Sequence, residues 1–155
     1  DDDLRTLATE RGLTTRQVVT LASLIQRETG LDDERPVVSA VYNNRLDRRM
    51  PLQCDPTVIY ALRIDGLYDG NLTRENLAYD SPYNTYVHPG LPPGPIAAPG
   101  AADLRAALMP ANVSYVYFVS RNDGSHVFAD TLREHNRNVQ EFQVDYFRRR
   151  RAAAR

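Results

Sequence analysis

The chain has 155 residues, enough for one domain with a buried core and too few for two ordinary ones. Nineteen basic against twenty acidic residues leave a net charge of -1, which excludes the broad electrostatic footprint of a nucleic-acid binder. An apolar fraction of 42% is too high for a disordered chain and too dispersed for a membrane-spanning one, and the single cysteine, Cys54, excludes both an internal disulfide and a cysteine zinc cluster.

In chain order, residues 14–29 place Val18, Leu21, Ala22 and Ile25 on one face of a helix, with Gly30 as its stop. After the polar turn Asp32-Asp33-Glu34, Pro36 suits the first turn of a second helix that carries Val37, Val38, Val41, Tyr42 and Leu46 and closes near Arg48. Asp55-Pro56 reads as an N-cap and first-turn proline for a shorter helix ending at Asp65-Gly66, and Thr73 caps another short one. Residues 81–100 hold six of the ten prolines and three of the eight glycines, too many breakers for a regular element, so this stretch is a long loop, ordered or not.

A helix over residues 101–108 is followed by the β-prone run Tyr115-Val116-Tyr117-Phe118-Val119, which suits a strand covered on both faces. Asn122-Asp123-Gly124 marks a hairpin turn and His126-Val127-Phe128 its returning strand. Thr131 and Glu134 then form a capping box for a last helix with Leu132, Val139, Phe142 and Tyr146. The fold class expected is α+β, a mainly helical single domain with a small antiparallel sheet and a long Pro/Gly-rich loop. Residues 1–147 would form the working domain and residues 148–155 a basic tail, residues 145–155 holding five Arg and one Asp. A solvated tail is the plain reading, contact with an anion or nucleic acid the sharper one. No signal peptide or apolar span opens the chain, which begins with three aspartates like a domain detached from a longer protein.

Glu28 is the residue most out of place. It continues the apolar stripe of Leu21 and Ile25 and sits in the last helical turn, where the macrodipole disfavours negative charge. Burial and the dipole both raise a carboxyl pKa, as a general acid requires. A buried ion pair with an arginine such as Arg45 is the other reading. A second cluster, Gln53-Cys54-Asp55-Pro56-Thr57, crowds hydrogen-bonding groups where a loop enters a helix, although Asp55 could serve only as a cap. A third, Tyr83-Asn84-Thr85-Tyr86, leads into Gly90-Leu91-Pro92-Pro93-Gly94-Pro95-Ile96 and suits the wall of a pocket for a polar ring substrate such as a sugar. His126 could hydrogen-bond a substrate from the hairpin mouth, while His135 and Asn136 read as ordinary satisfied polar groups. The three histidines lack metal-ligand spacing, so neither a metal nor a cofactor is expected, and nothing adjacent in sequence activates Cys54 as a nucleophile.

These segments also occur together elsewhere. Leu21-Ala22-Ser23-Leu24-Ile25-Gln26-Arg27-Glu28-Thr29, Asn44-Arg45-Leu46, Leu52-Gln53-Cys54-Asp55-Pro56-Thr57-Val58, Tyr83-Asn84-Thr85-Tyr86, Gly90-Leu91-Pro92-Pro93-Gly94-Pro95-Ile96 and Tyr117-Phe118-Val119 are similar, in this order, to the YceG-like (MltG) family of endolytic murein transglycosylases. The resemblance runs from about Leu21 to Asn136, departing at Gln26, where members often carry a second acid, and at Cys54, where Ser or Thr is usual.

The resemblance implies non-hydrolytic cleavage of the bond between N-acetylmuramic acid and N-acetylglucosamine, with Glu28 as acid and then base, in a lysozyme-like position at a helix end. Gln53, Asp55, Thr57, Asn84, Thr85, Tyr86 and His126 would bind or orient the sugars. It further implies peptidoglycan strands as partner, synthases as possible partners of the full-length protein, no nucleic acid, and an extracytoplasmic location with a membrane anchor and LysM-like segment outside this chain. A lysozyme-like hydrolase using Asp55 as second carboxylate, or an inactive glycan-binding module, are the alternatives.

Overall fold

A computed structural model describes residues 2–154; Asp1 and Arg155, the first residue and the last of the expected basic tail, lie outside the described residues. Helix α1 spans Asp2–Glu10, α2 Thr15–Glu28, α3 Arg35–Asp47, α4 Asp55–Ile64 and α5 Ala101–Leu108. Strands β1 (Tyr117–Ser120) and β2 (His126–Ala129) follow, then α6 (Leu132–Val139) and α7 (Tyr146–Ala153), joined by a π-helical segment Gln140–Asp145. The result is an α+β domain, about half helical, with one small antiparallel sheet.

Helix α2 is the axis of the core. A reciprocal capping box starts it: Gln17 N–H donates to Thr14 Oγ1 at 3.2 Å while Thr14 N–H donates to Gln17 Oε1 at 2.9 Å. Its apolar stripe Leu21, Leu24 and Ile25 packs with Val38 and Tyr42 of α3, Ala106 to Leu108 of α5, and Leu52 and Cys54 of the loop before α4. Each such aliphatic side chain taken from water contributes about 1.5–3 kcal/mol, and this seam holds the end of α2 in place. The helix stops at Glu28 because Thr29 turns extended (φ −143°) and its hydroxyl donates to Glu34 Oε2 at 3.0 Å. The stop is therefore Thr29 rather than the expected Gly30, which is not left-handed.

Several boundaries shift from the sequence reading. Helix α1 was not foreseen, yet Leu4, Leu7 and Ala8 pack on the core at helical spacing. Asp55 is the first residue of α4, not its cap: Cys54 holds the cap position and no side chain caps this helix. Arg74, not Thr73, holds the cap position of the short 3-10 turn Glu75–Ala78; Thr73, one residue earlier, accepts from Asn76 N–H at 3.3 Å. The first strand begins at Tyr117, two residues late, and pairs Phe118 with Phe128. The hairpin turn falls where Asn122 (φ 67°) and Gly124 (φ 91°) take left-handed conformations. Thr131 caps α6 by accepting from Glu134 N–H at 3.2 Å, the forward half of the expected box. The expected last helix is continuous but widens at Gln140–Asp145, and Arg148 to Arg151 lie within α7.

Residues 81–100 contain no helix or strand and run along the outer side of α2. Arg16 Nε donates to Pro93 O (2.7 Å), Ile96 N–H to Ser23 Oγ (3.0 Å) and Gln26 Nε2 to Ala98 O (2.9 Å). The loop is ordered by these bonds and straps the helix that carries Glu28.

Candidate active site

Glu28 is the last residue of α2 and borders a cavity of about 350 Å³, within the usual range for small-molecule clefts. Tyr42, Arg45, Gln53, Asp55, Tyr86, Tyr117, His126 and His135 line it with Glu28. The elements meet here because α2 and α3 pack side by side, the 52–55 turn crosses beneath them, and the hairpin with α6 closes the far wall.

The Glu28 carboxyl is not in an ion pair with any described residue. Its Oε1 accepts from Tyr42 Oη at 2.9 Å and from the Cys54 thiol at 3.3 Å, and Oε2 has no protein partner among the described residues. Burial raises its pKa above the ordinary carboxyl value; the two donors oppose that rise, the Asp55 charge adds to it and His126 opposes it, and burial wins. Arg45, the alternative partner, is engaged elsewhere: Nε donates to Val116 O and Nη1 to Pro51 O, both at 2.7 Å. The structure thus excludes the Glu28–Arg45 ion pair.

Cys54 touches the site in space though not in sequence. Burial, then the Glu28 charge, push its thiol far above its usual range, so it remains a hydrogen-bond donor rather than a nucleophile. Tyr42, on the neighbouring helix, is likewise held protonated, first by burial.

His126 opens β2 and is oriented by Glu34, a residue sequence reasoning passed over. Its backbone N–H donates to Glu34 Oε1 (2.7 Å) and its Nδ1 lies 2.8 Å from Oε2. Burial would raise the Glu34 pKa, but the hydrogen bonds from His126 and Thr29 outweigh it and hold the carboxyl below its ordinary range. With Nδ1 taken by a carboxylate, Nε2 is the ring nitrogen left for the cavity.

The other expected site residues divide. Gln53, Asp55 and Tyr86 line the cavity. Gln53 holds a left-handed φ of 50°, uncommon away from glycine, fixed as its N–H donates to Thr85 O at 3.3 Å. The Tyr86 hydroxyl donates to Asp55 Oδ1, and burial together with that bond raises the phenol's pKa.

Thr57, Asn84 and Thr85 are 0%, 0% and 1% exposed, behind the cavity rather than on its lining. The polar atoms they would offer a sugar are used inside the protein. Thr85 Oγ1 accepts from Cys54 N–H at 2.9 Å and lies 2.9 Å from Thr57 Oγ1, while Asn84 Nδ2 donates to Leu77 O and Tyr79 O at 3.0 and 2.8 Å. They hold the 52–55 turn and the 83–86 loop together. Tyr83 packs on Tyr60, centroids 4.9 Å apart, outside the cavity, and the Gly90–Ile96 run is likewise absent from its lining.

His135 is not the satisfied polar group expected. Its ring stacks on Tyr117 with centroids 4.9 Å apart, and its Nδ1 is buried without a hydrogen-bond partner among the described residues. Burial and then the nearby Arg45 charge lower its pKa, so it is neutral near pH 7. Gln143, from the π segment, also reaches the cavity, its Nε2 donating to Ser120 O at 3.2 Å. Gln26 stands outside it.

A family model described as the YceG-like family matches residues 1–141. The endolytic murein transglycosylase of Bacillus subtilis is 42% identical over 126 residues, 81% of this chain and 34% of that protein. The protein of the same name from Streptococcus pneumoniae strain D39 is 33% identical over 137 residues, 84% of this chain and 24% of that one. A crystal structure of a yceG-like protein from Listeria monocytogenes superposes with a TM-score of 0.80 at 39% identity, covering 88% of this chain and 44% of that one. The chain thus spans about a third of one of these curated relatives and a quarter of the other.

Proposed function

This chain belongs to the YceG-like family, and from that premise we propose that it carries the cleavage site of a peptidoglycan lytic transglycosylase, acting on murein glycan strands outside the cytoplasm. The observation that carries the reading is the state of Glu28: a carboxyl favoured in its protonated form by burial, facing an open cavity, with one oxygen anchored by two donors and the other unclaimed. The curated relatives named endolytic murein transglycosylases supply the substrate class.

In this mechanism the Glu28 proton goes to the oxygen bridging N-acetylmuramic acid to N-acetylglucosamine as the C1–O bond breaks. The C6 hydroxyl of the muramyl residue then bonds to C1, and its proton returns to the Glu28 carboxylate. Atoms balance without water, and the product is a 1,6-anhydro end. General acid–base transfer of this kind is worth about 10²- to 10⁴-fold in rate. Gln53, Asp55, Tyr86 and His126 bind the sugars from the cavity wall, His126 through Nε2; Thr57, Asn84 and Thr85 position that wall from behind.

Digestion of purified peptidoglycan by the 155-residue chain, followed by mass spectrometry, tests the reading. Anhydro-ended fragments are expected. Hydrated reducing ends, heavier by one water, would replace it with hydrolysis in which Asp55 supplies the second carboxylate, and no fragments at all would favour a binding module.

A further inference from the structure

We propose that Arg45 recognises the lactyl carboxyl group that distinguishes muramic acid from its partner sugar, so that the cavity selects muramyl strands over uncharged chitin-like ones. The proposal rests on the reading above and adds the substrate feature that the site detects.

Arg45 is 7% exposed, and a guanidinium this deep is ordinarily paired with a carboxylate, because isolated buried charge is costly. Among the described residues none pairs with it. Its partners are neutral: the Val116 and Pro51 carbonyls at 2.7 Å and the Tyr117 ring at 5.1 Å from the guanidinium carbon. Those contacts fix the side chain but leave its charge uncompensated. They also use Nε and Nη1, so that Nη2 has no acceptor among the described residues, yet it is not sealed in as a buried orphan. Arg45 lines the same cavity as Glu28.

Neither carboxyl of that cavity pairs with Arg45: Glu28 accepts from Tyr42 and Cys54 through Oε1, and Asp55 accepts from Tyr86 through Oδ1. A preorganised guanidinium with a free N–H edge suits a carboxylate oxygen, or the amide oxygen that replaces it where a peptide stem is attached. Chitin has no lactyl substituent, and its acetamido oxygens are ones that murein shares.

The test measures calorimetric binding to the Glu28→Gln chain, so that ligand is not consumed. A muramyl tetrasaccharide with free lactyl carboxyls should bind about tenfold more tightly than chitin tetrasaccharide, as one charge-assisted hydrogen bond predicts, and the difference should shrink with added salt. Adding Arg45→Met should erase the preference while leaving chitin affinity within about twofold. Because that variant could fail to fold, a ligand-side arm uses the same tetrasaccharide with its lactyl carboxyls reduced to alcohols; it should bind no better than chitin. Equal affinity for the muramyl and chitin ligands, or equal loss of both on substitution, overturns the role of Arg45 while leaving the transglycosylase reading intact. Binding of neither sugar, with no cleavage of murein by the parent chain, overturns both.

Discussion

Tyr42 and Glu28 meet across the seam between α2 and α3, the phenol donating to Oε1 at 2.9 Å from a side chain only 1% exposed. This bond favours the carboxylate, so it sets where Glu28 loses its proton. In the Tyr42→Phe variant the Glu28 pKa should rise, moving the alkaline limb of the pH–rate profile to higher pH. Cys54→Ser, which replaces a weak donor by a stronger one, should move the same limb to lower pH. A profile that stays put in both variants would remove these donors from control of Glu28.

Glu28→Gln should reduce murein cleavage by about 10²- to 10⁴-fold and stabilise the fold at neutral pH. A carboxyl whose folded pKa is raised contributes stability that is complete below its ordinary value of 4.5 and is lost as pH rises through the folded value. Glutamine has no such titration. Melting curves of parent and variant should therefore converge in acid and separate with rising pH, the variant melting higher; a variant melting lower at pH 7 would mean that the ionised group stabilises the fold.

Glu34 behaves in the opposite sense. Its folded pKa is depressed, so its contribution is present above 4.5 and disappears as pH falls through the folded value. Glu34→Gln should cost about 1–3 kcal/mol at pH 7, and less in acid. Because it also frees the His126 ring, KM should rise more than kcat falls. A fall in kcat alone would argue that His126 acts on the reaction rather than on binding.

Thr57 and Thr85 hydroxyls lie 2.9 Å apart, and Thr85 also accepts from Cys54 N–H at the same distance. Thr85→Val should destabilise by about 1–3 kcal/mol, since it strands the buried Cys54 N–H, and Thr57→Val by a similar amount, since it strands the Thr85 N–H that Thr57 Oγ1 accepts at 3.4 Å. In denaturant titrations the double variant should fall short of the sum by about 0.5–3 kcal/mol. Additive losses would show that the two hydroxyls do not support each other.

What the sequence reveals is what periodicity and local chemistry encode. Helix α2, the proline opening of α3 and the Asn-Asp-Gly hairpin were readable because each is decided within a few residues. Glu28 stood out as a carboxylate on an apolar stripe. Its two donors did not: Tyr42 looks like one more core aromatic, and Cys54 is 26 residues away, so only the packing of α3 and the turn before α4 brings them together.

Thr57, Asn84 and Thr85 carry the polar groups of a binding surface but spend them on backbone and on each other, a choice set by burial that no motif states. The spacing of Leu4, Leu7 and Ala8 could have revealed α1. The widened turn at Gln140–Asp145 had no comparable cue, since the apolar spacing of Val139, Phe142 and Tyr146 fits an ordinary helix.

The unequal treatment of the two Glu28 oxygens would have a stereochemical outcome in the proposed mechanism. Oε1 is moored, so the carboxyl cannot swing across the ring without forfeiting both tethers, and one atom, Oε2, would serve the departing sugar and the arriving hydroxyl alike. Exit and entry would then share a single face of the anomeric carbon. The anhydro bridge would keep the configuration of the linkage it replaces, and no opposing carboxylate or stationed water is needed on the other side.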